Sequence, residues 1–292
     1  MKLPGFVSPA GPPGAAESQT GVRPRRRHPV RQALGRRYYI LRRKVTWLTS
    51  GSRWARVSAV SLPVVQTSHA TPLLRQLKDV DMPMQRNKVT NLRLATAKLD
   101  GVTLAPGETF SYWRLIGATT ARKGYLPGMV LSHGKVTSGV GGGLCQLSNL
   151  IYWLTLHTPL TVTERHRHSY DAFPDTNRSQ PFGSGATCFY NYGDLAIRND
   201  TDRPFQLHVW LTDDELRGEW RSTEPPRQVY QVYEAQHIIR QEFWGGYSRH
   251  NLLYRHVRTP DGAQIGDEYV TENHALMMYN PMLTAGPDSV AG

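Results

Sequence analysis

Ser138-Gly-Val-Gly-Gly-Gly-Leu-Cys-Gln-Leu-Ser-Asn149 runs without a break into Leu150-Ile-Tyr-Trp-Leu-Thr-Leu156, and its reading decides the fold. Four of the five residues from Gly139 to Gly143 are glycine. Such a backbone turns sharply and lets a ligand or another segment come close. The apolar run after it predicts a buried helix, stopped by Pro159. Cys145 then stands at the start of that helix. The N–H groups and dipole there favour a thiolate and can hold an oxyanion or carboxylate. The same residues also suit packing alone, because cysteine is among the most buried residue types and glycines let two elements lie close.

Working outward, the helix is followed by an expected strand, Leu160 to His168, whose period of two puts Glu164, His166 and His168 on the face of Leu160 and Val162. Alternating strands are expected around Ala186–Tyr190, Leu195–Arg198 and Pro204–Leu211, then hairpins through residue 270 with turns at Asp213-Asp214, Trp244-Gly-Gly246 and Pro260-Asp-Gly262. Before the glycine loop, residues 114–140 read as a loop-rich hairpin region turning at His133-Gly134-Lys135. Earlier still, Asn87 caps a helix whose face is Val89, Leu92, Ala95 and Leu99 and which Gly101 ends. Val102–Leu104 and Thr109–Trp113 read as strands joined by a type II turn at Pro106-Gly107. The fold class is therefore α+β, with the glycine loop and its helix packed on antiparallel strands.

Charge divides the chain. Residues 1–60 hold 13 Lys/Arg against one acidic residue, a surplus of 12, and the remainder is balanced at 22 against 22. Residues 1–28 have the composition of a disordered basic tail. Residues 29–85 hold a basic amphipathic helix and a connecting segment. Val30, Leu34, Tyr38, Leu41, Val45 and Leu48 form its apolar stripe, and arginines fill its other faces. Such a helix either lies on an anionic membrane surface through Arg31–Arg56 or docks its stripe on the body, and the stripe alone does not separate the two. Nucleic acid is not expected, since no recognition signature interrupts the body. A core at 86–212, a β-rich extension at 213–280 and a frayed tail at 281–292 complete the division.

Only two cysteines occur, Cys145 and Cys188, which excludes a disulfide scaffold. No secretory h-region and no run of 18 apolar residues is seen, so the expected location is cytoplasmic, peripheral at the membrane. No cofactor is expected, and the histidines lack metal-ligand spacing.

Five stretches together resemble the VanW family, from about Pro29 to Leu211: Asn87-Lys-Val-Thr-Asn-Leu-Arg-Leu-Ala95, Pro106-Gly-Glu-Thr-Phe-Ser-Tyr-Trp-Arg-Leu115, Gly141 to Asn149, Leu156-His-Thr-Pro-Leu-Thr161 and Arg198-Asn-Asp-Thr-Asp202. The family signature falls on Gly141, Gly142, Gly143, Cys145, Gln146 and His168. The resemblance implies a link to glycopeptide resistance and the cell envelope, without an established reaction. It also implies an Asp where this chain has Gly185, a gap for which Asp194 or Asp171 is the substitute at hand.

Three readings of the site stay open. In the first, an enzyme performs acyl transfer or hydrolysis on a peptidoglycan-type peptide. Cys145 is then the nucleophile, His168 the base and Gln146 an oxyanion donor, with Gly141, Gly142, Gly143, Ser148 and Asn149 holding substrate. In the second, the helix mouth binds the carboxylate of a cell-wall peptide or related small ligand without chemistry. In the third, the motif only packs.

Overall fold

The computed structural model describes residues 28–74, 82–132, 135–167, 169–171 and 180–281. The basic tail up to residue 27, the His133-Gly134 turn, the base candidate His168, and all but the first residue of the frayed terminal tail lie outside them.

Helix α1 (Pro29–Thr49) begins with proline in its first turn, where the missing N–H has no partner to lose. Short strands β1 (Arg53–Trp54) and β2 (Arg56–Val57) and the longer β3 (Val64–Pro72) lead to α2 (Met82–Leu99). Leu92, Ala95 and Leu99 are fully buried along one face of α2, and Gly101 takes φ 79° just beyond it. Asn87 does not cap this helix, which starts at Met82. Its amide donates instead to Pro127 O at 2.8 Å.

β4 (Val102–Leu104) and β5 (Glu108–Ser111) meet through the expected turn, where Gly107 has φ 77° and Glu108 N donates to Ala105 O at 2.9 Å. The strand expected to reach Trp113 stops at Ser111. The Ser111 hydroxyl accepts from Arg114 N and caps a short helix α3 (Tyr112–Ile116). Local capping has overridden the strand propensity of two aromatic residues.

A hairpin of β6 (Pro127–Ser132) and β7 (Lys135–Val140) delivers the chain to α4 (Cys145–Leu156), the buried helix of the opening stretch. β8 (Thr161–Glu164) is shorter than expected and ends opposite Ala196, the first residue of its partner β10 (Ala196–Arg198), beyond which there is no strand to pair with. His166 makes only an isolated bridge to Thr187, and residues 186–190 form no regular strand. β9 (Tyr170–Asp171), β11 (Phe205–Leu211), β12 (Glu215–Ser222), β13 (Val229–Gln241), β14 (Tyr247–Arg258) and β15 (Gln264–Met277) complete the order.

One sheet runs β1-β5-β10-β8, a second β2-β4-β11-β12-β3 and a third β13-β14-β15-β9. The architecture is α+β. α4 packs on β12 and β3, and α2 on β11 and β6. Gly218 of β12 makes the first contact close, since a Cβ there would sit 3.0 Å from Leu154 Cδ1. Trp220, Phe205, Leu207, Leu147, Leu150 and Ile151 fill the space between. The third sheet is tied to the rest by Arg255, which donates to Leu156 O and Thr158 O at the C-terminal end of α4, where a cation suits the helix dipole. Arg165 makes a second tie, to Thr271 and Asn273.

Candidate functional site

The glycine loop is held by backbone and by three polar side chains. Gly141 has φ 80° and Gly143 φ 90°, conformations that a side chain rarely adopts. Gly142 lies so close to Gly128 of β6 that a Cβ on it would overlap backbone atoms. Asn91 of α2 donates to Gly142 O at 2.9 Å and to Leu126 O, and accepts from Leu126 N. Tyr112 donates to Leu144 O at 2.9 Å, and the stem of Lys88 lies over Gly143.

Cys145 opens α4 and is half-buried. Its sulfur sits 3.8 Å from Thr187 Oγ1 and 3.8 Å from Cys188 O. Ser148 and Asn149, one turn further on, bring those two neighbours in. Ser148 Oγ donates to Ala186 O at 2.7 Å, and Asn149 Oδ1 accepts from Ala186 N at 2.8 Å. A Cβ on Gly185 would come 2.6 Å from Asn149 Oδ1, so the glycine found there is what lets this clamp close. Cys188 packs against the core, and burial pushes its thiol well above the usual range.

Gln146 turns elsewhere. Its amide donates to Thr71 Oγ1 at 3.0 Å and Pro72 O at 2.9 Å, fixing the end of β3. Two amides of the helix start are also taken, Gln146 N by Gly143 O and Leu147 N by Leu144 O, both at 3.1 Å. Among the described residues no histidine ring is within hydrogen-bond reach of the Cys145 sulfur. The structure thus gathers Gly141, Gly142, Gly143, Cys145, Ser148 and Asn149 along one loop and helix turn, and separates Gln146 from them.

The acidic residues beside this region serve other partners. Glu164 pairs with both terminal nitrogens of Arg43, at 2.7 and 2.6 Å, and with His166 Nε2 at 3.0 Å. Burial alone would raise its pKa, but the hydrogen bonds from His166 and Arg43 and the Arg43 charge hold it down at about 2. Asp171 accepts from Arg249, with both side chains buried, and from Tyr279. Asp194 accepts from Ser111 Oγ, Trp113 N and Leu195 N. Asp194 is thus engaged by Ser111 and by two backbone amides, and Asp171 by Arg249 and Tyr279.

Burial raises the Asp194 pKa from 3.8 to about 6, against the pull of its hydrogen bonds from Ser111 and Trp113. The fold therefore favours its protonated form. That contribution is complete below about pH 4 and lost as pH rises through about 6. Asp194→Asn has the same shape and no charge at any pH. It is expected to match the wild type near pH 4 and to exceed it by roughly 2–3 kcal/mol at pH 7.5, read from urea unfolding. A difference that does not change across that range contradicts the assignment.

A cavity of about 220 Å³ lies at the far end of α4, lined by His157, Arg203, Arg227 and Tyr230 among others. None of the predicted site residues lines it. The sequence reading missed Thr187, Asn91 and Tyr112. Asn91 and Tyr112 had a signal in the sequence, since both lie in stretches that carry the family resemblance.

Among the described residues no helix is long and apolar enough to cross a membrane. Residues 87–221 match a family model described as VanW like protein. The vancomycin B-type resistance protein VanW of Enterococcus faecalis (strain ATCC 700802 / V583) is 41% identical over 152 residues, which is 52% of this chain and 55% of that protein. The uncharacterized protein YoaR of Bacillus subtilis (strain 168) is 28% identical over 127 residues, 42% of this chain and 39% of that protein. The chain thus spans about half the length of the first relative and less of the second. No solved structure matches.

Proposed function

We propose, from the match of residues 87–221 to the VanW family model, that the chain acts in glycopeptide resistance at the cell envelope by binding a cell-wall peptide, without covalent chemistry. The ligand is a peptide with a free carboxylate, and it meets the glycine loop and the first turn of α4. One observation carries the choice of binding over catalysis. The Cys145 sulfur faces a hydroxyl and a backbone carbonyl, while the amide of Gln146 is committed to β3. Thiol chemistry needs donors aimed at the oxyanion, and the Gln146 amide is aimed at Thr71 and Pro72 instead. Binding needs only the glycine backbone and the helix end.

Calorimetric titration of the full chain with an acyl-Lys-D-Ala-D-Ala peptide tests this. Saturable binding that Cys145→Ser preserves, with no D-alanine released, is the expected result. Absence of binding contradicts the proposal, and release of D-alanine that Cys145→Ser abolishes replaces it with the thiol enzyme.

A further inference from the structure

α1 meets the body on the side opposite its apolar stripe. Its half-buried positions in the second half are Ile40, Arg43 and Trp47. Asn191 donates to Ile40 O at 3.2 Å, Trp54 Nε1 donates to Trp47 O at 3.1 Å, and Arg43 reaches Glu164 and Tyr192 O. Meanwhile Val30, Leu34, Tyr38, Leu41, Val45 and Leu48 are between 49% and 84% exposed. Docking of the stripe on the body, one of the two readings of this helix, is therefore not what the structure has.

At about 100° per residue these six side chains fall within an arc of about 80°, turned away from Arg43 and Trp47. Arg31 and Arg42 border one margin of that arc, and Arg37 and Lys44 border the other. All four are exposed. The helix contains no acidic residue. Long cationic side chains on both flanks of an apolar strip suit a layer that is oily below and anionic above, because their stems lie along the apolar surface while the charges reach outward.

We propose that this face of α1 lies on an anionic lipid bilayer, holding the body above the membrane through Ile40, Arg43 and Trp47. Charge complementarity selects this occupant, since the basic surplus of 12 is confined to residues 1–60. Nucleic acid would use the cations and leave six apolar side chains in water. A second copy of the helix would bring two acid-free basic faces together. This proposal is independent of the peptide-binding reading.

The test is co-sedimentation of the full chain with vesicles of phosphatidylcholine alone and of phosphatidylcholine with phosphatidylserine. Binding only to the anionic vesicles, weakening as salt is added, is expected. Leu41→Gln with Leu48→Gln is expected to bind about tenfold more weakly or worse, by loss of apolar burial. Those side chains are 62% and 84% exposed, so the double variant should keep the wild-type melting curve. No binding to the anionic vesicles overturns the proposal, and so does equal binding to both. Binding indifferent to the two leucines also overturns it, pointing to a general polyanion site, as does a leucine-dependent dimer that ignores lipid.

Discussion

Gly142→Ala is expected to lose about 4 kcal/mol of stability, a large share of what holds a domain folded. The added carbon would overlap the carbonyl of Gly128, and reciprocally a Cβ on Gly128 would stand 2.7 Å from Gly142 O. Both obstacles are backbone, so no rotamer change relieves them. Relief requires β6 to move away from the loop, which breaks the bond from Gly141 N to Leu126 O at 3.0 Å and the buried bond from Asn91 to Gly142 O. Each broken bond leaves a polar group to be satisfied, at about 1–3 kcal/mol apiece, before the strain is counted. Gly107→Ala is the control. It has φ 77° and open space around it, so only the conformational penalty of about 1 kcal/mol remains. Urea unfolding of the two variants measures the difference, and a Gly142→Ala midpoint close to that of Gly107→Ala contradicts the packing described for the loop.

Arg165→Met is expected to lose roughly 3–5 kcal/mol and to loosen the third sheet from the body. The Arg165 side chain is half-buried, over the ring of Tyr152 at 5.0 Å. Nε donates to Gly185 O at 2.9 Å, one terminal nitrogen to Thr271 Oγ1 at 3.1 Å, and the other to Gly183 O and to Asn273 Oδ1 at 3.1 Å. Removing the guanidinium leaves these acceptors without it. Lysine is not expected to rescue, because one ammonium cannot span the four positions that the planar fork reaches. Melting temperature measures the loss, and hydrogen exchange along β15 shows where it falls. A stable Arg165→Lys variant with unchanged exchange in β15 contradicts the role.

Much of this arrangement was legible in the sequence wherever local chemistry decides the outcome. Pro106-Gly107 gave the turn, the apolar run gave α4, and Leu92, Ala95 and Leu99 marked the buried face of α2. What stayed hidden depends on contacts distant in sequence. Glu164 and Arg165 are adjacent and of opposite charge, yet neighbours in an extended chain point to opposite sides. Glu164 accordingly meets Arg43, 121 positions away, and Arg165 meets Asn273, 108 positions away. Asn87 has the composition of a cap, but the helix starts five residues earlier, at Met82, about one and a half turns before it. The site shows the same limit. Glycine content foretold a close approach at Gly142 without saying that Gly128 makes it. The direction of Gln146 follows from β3, a segment whose proline-broken composition gave no clear reading.

The alkylation rate of Cys145 in the native chain, followed against pH by mass mapping with a free thiol as reference, tests most directly whether this sulfur is a packing neighbour of Thr187 and Cys188. Modification slower than the free thiol, rising to the reference rate only when the chain is unfolded in urea, is the predicted result. Modification faster than the free thiol near neutral pH would mean an activated nucleophile, and the binding account would give way to catalysis at Cys145.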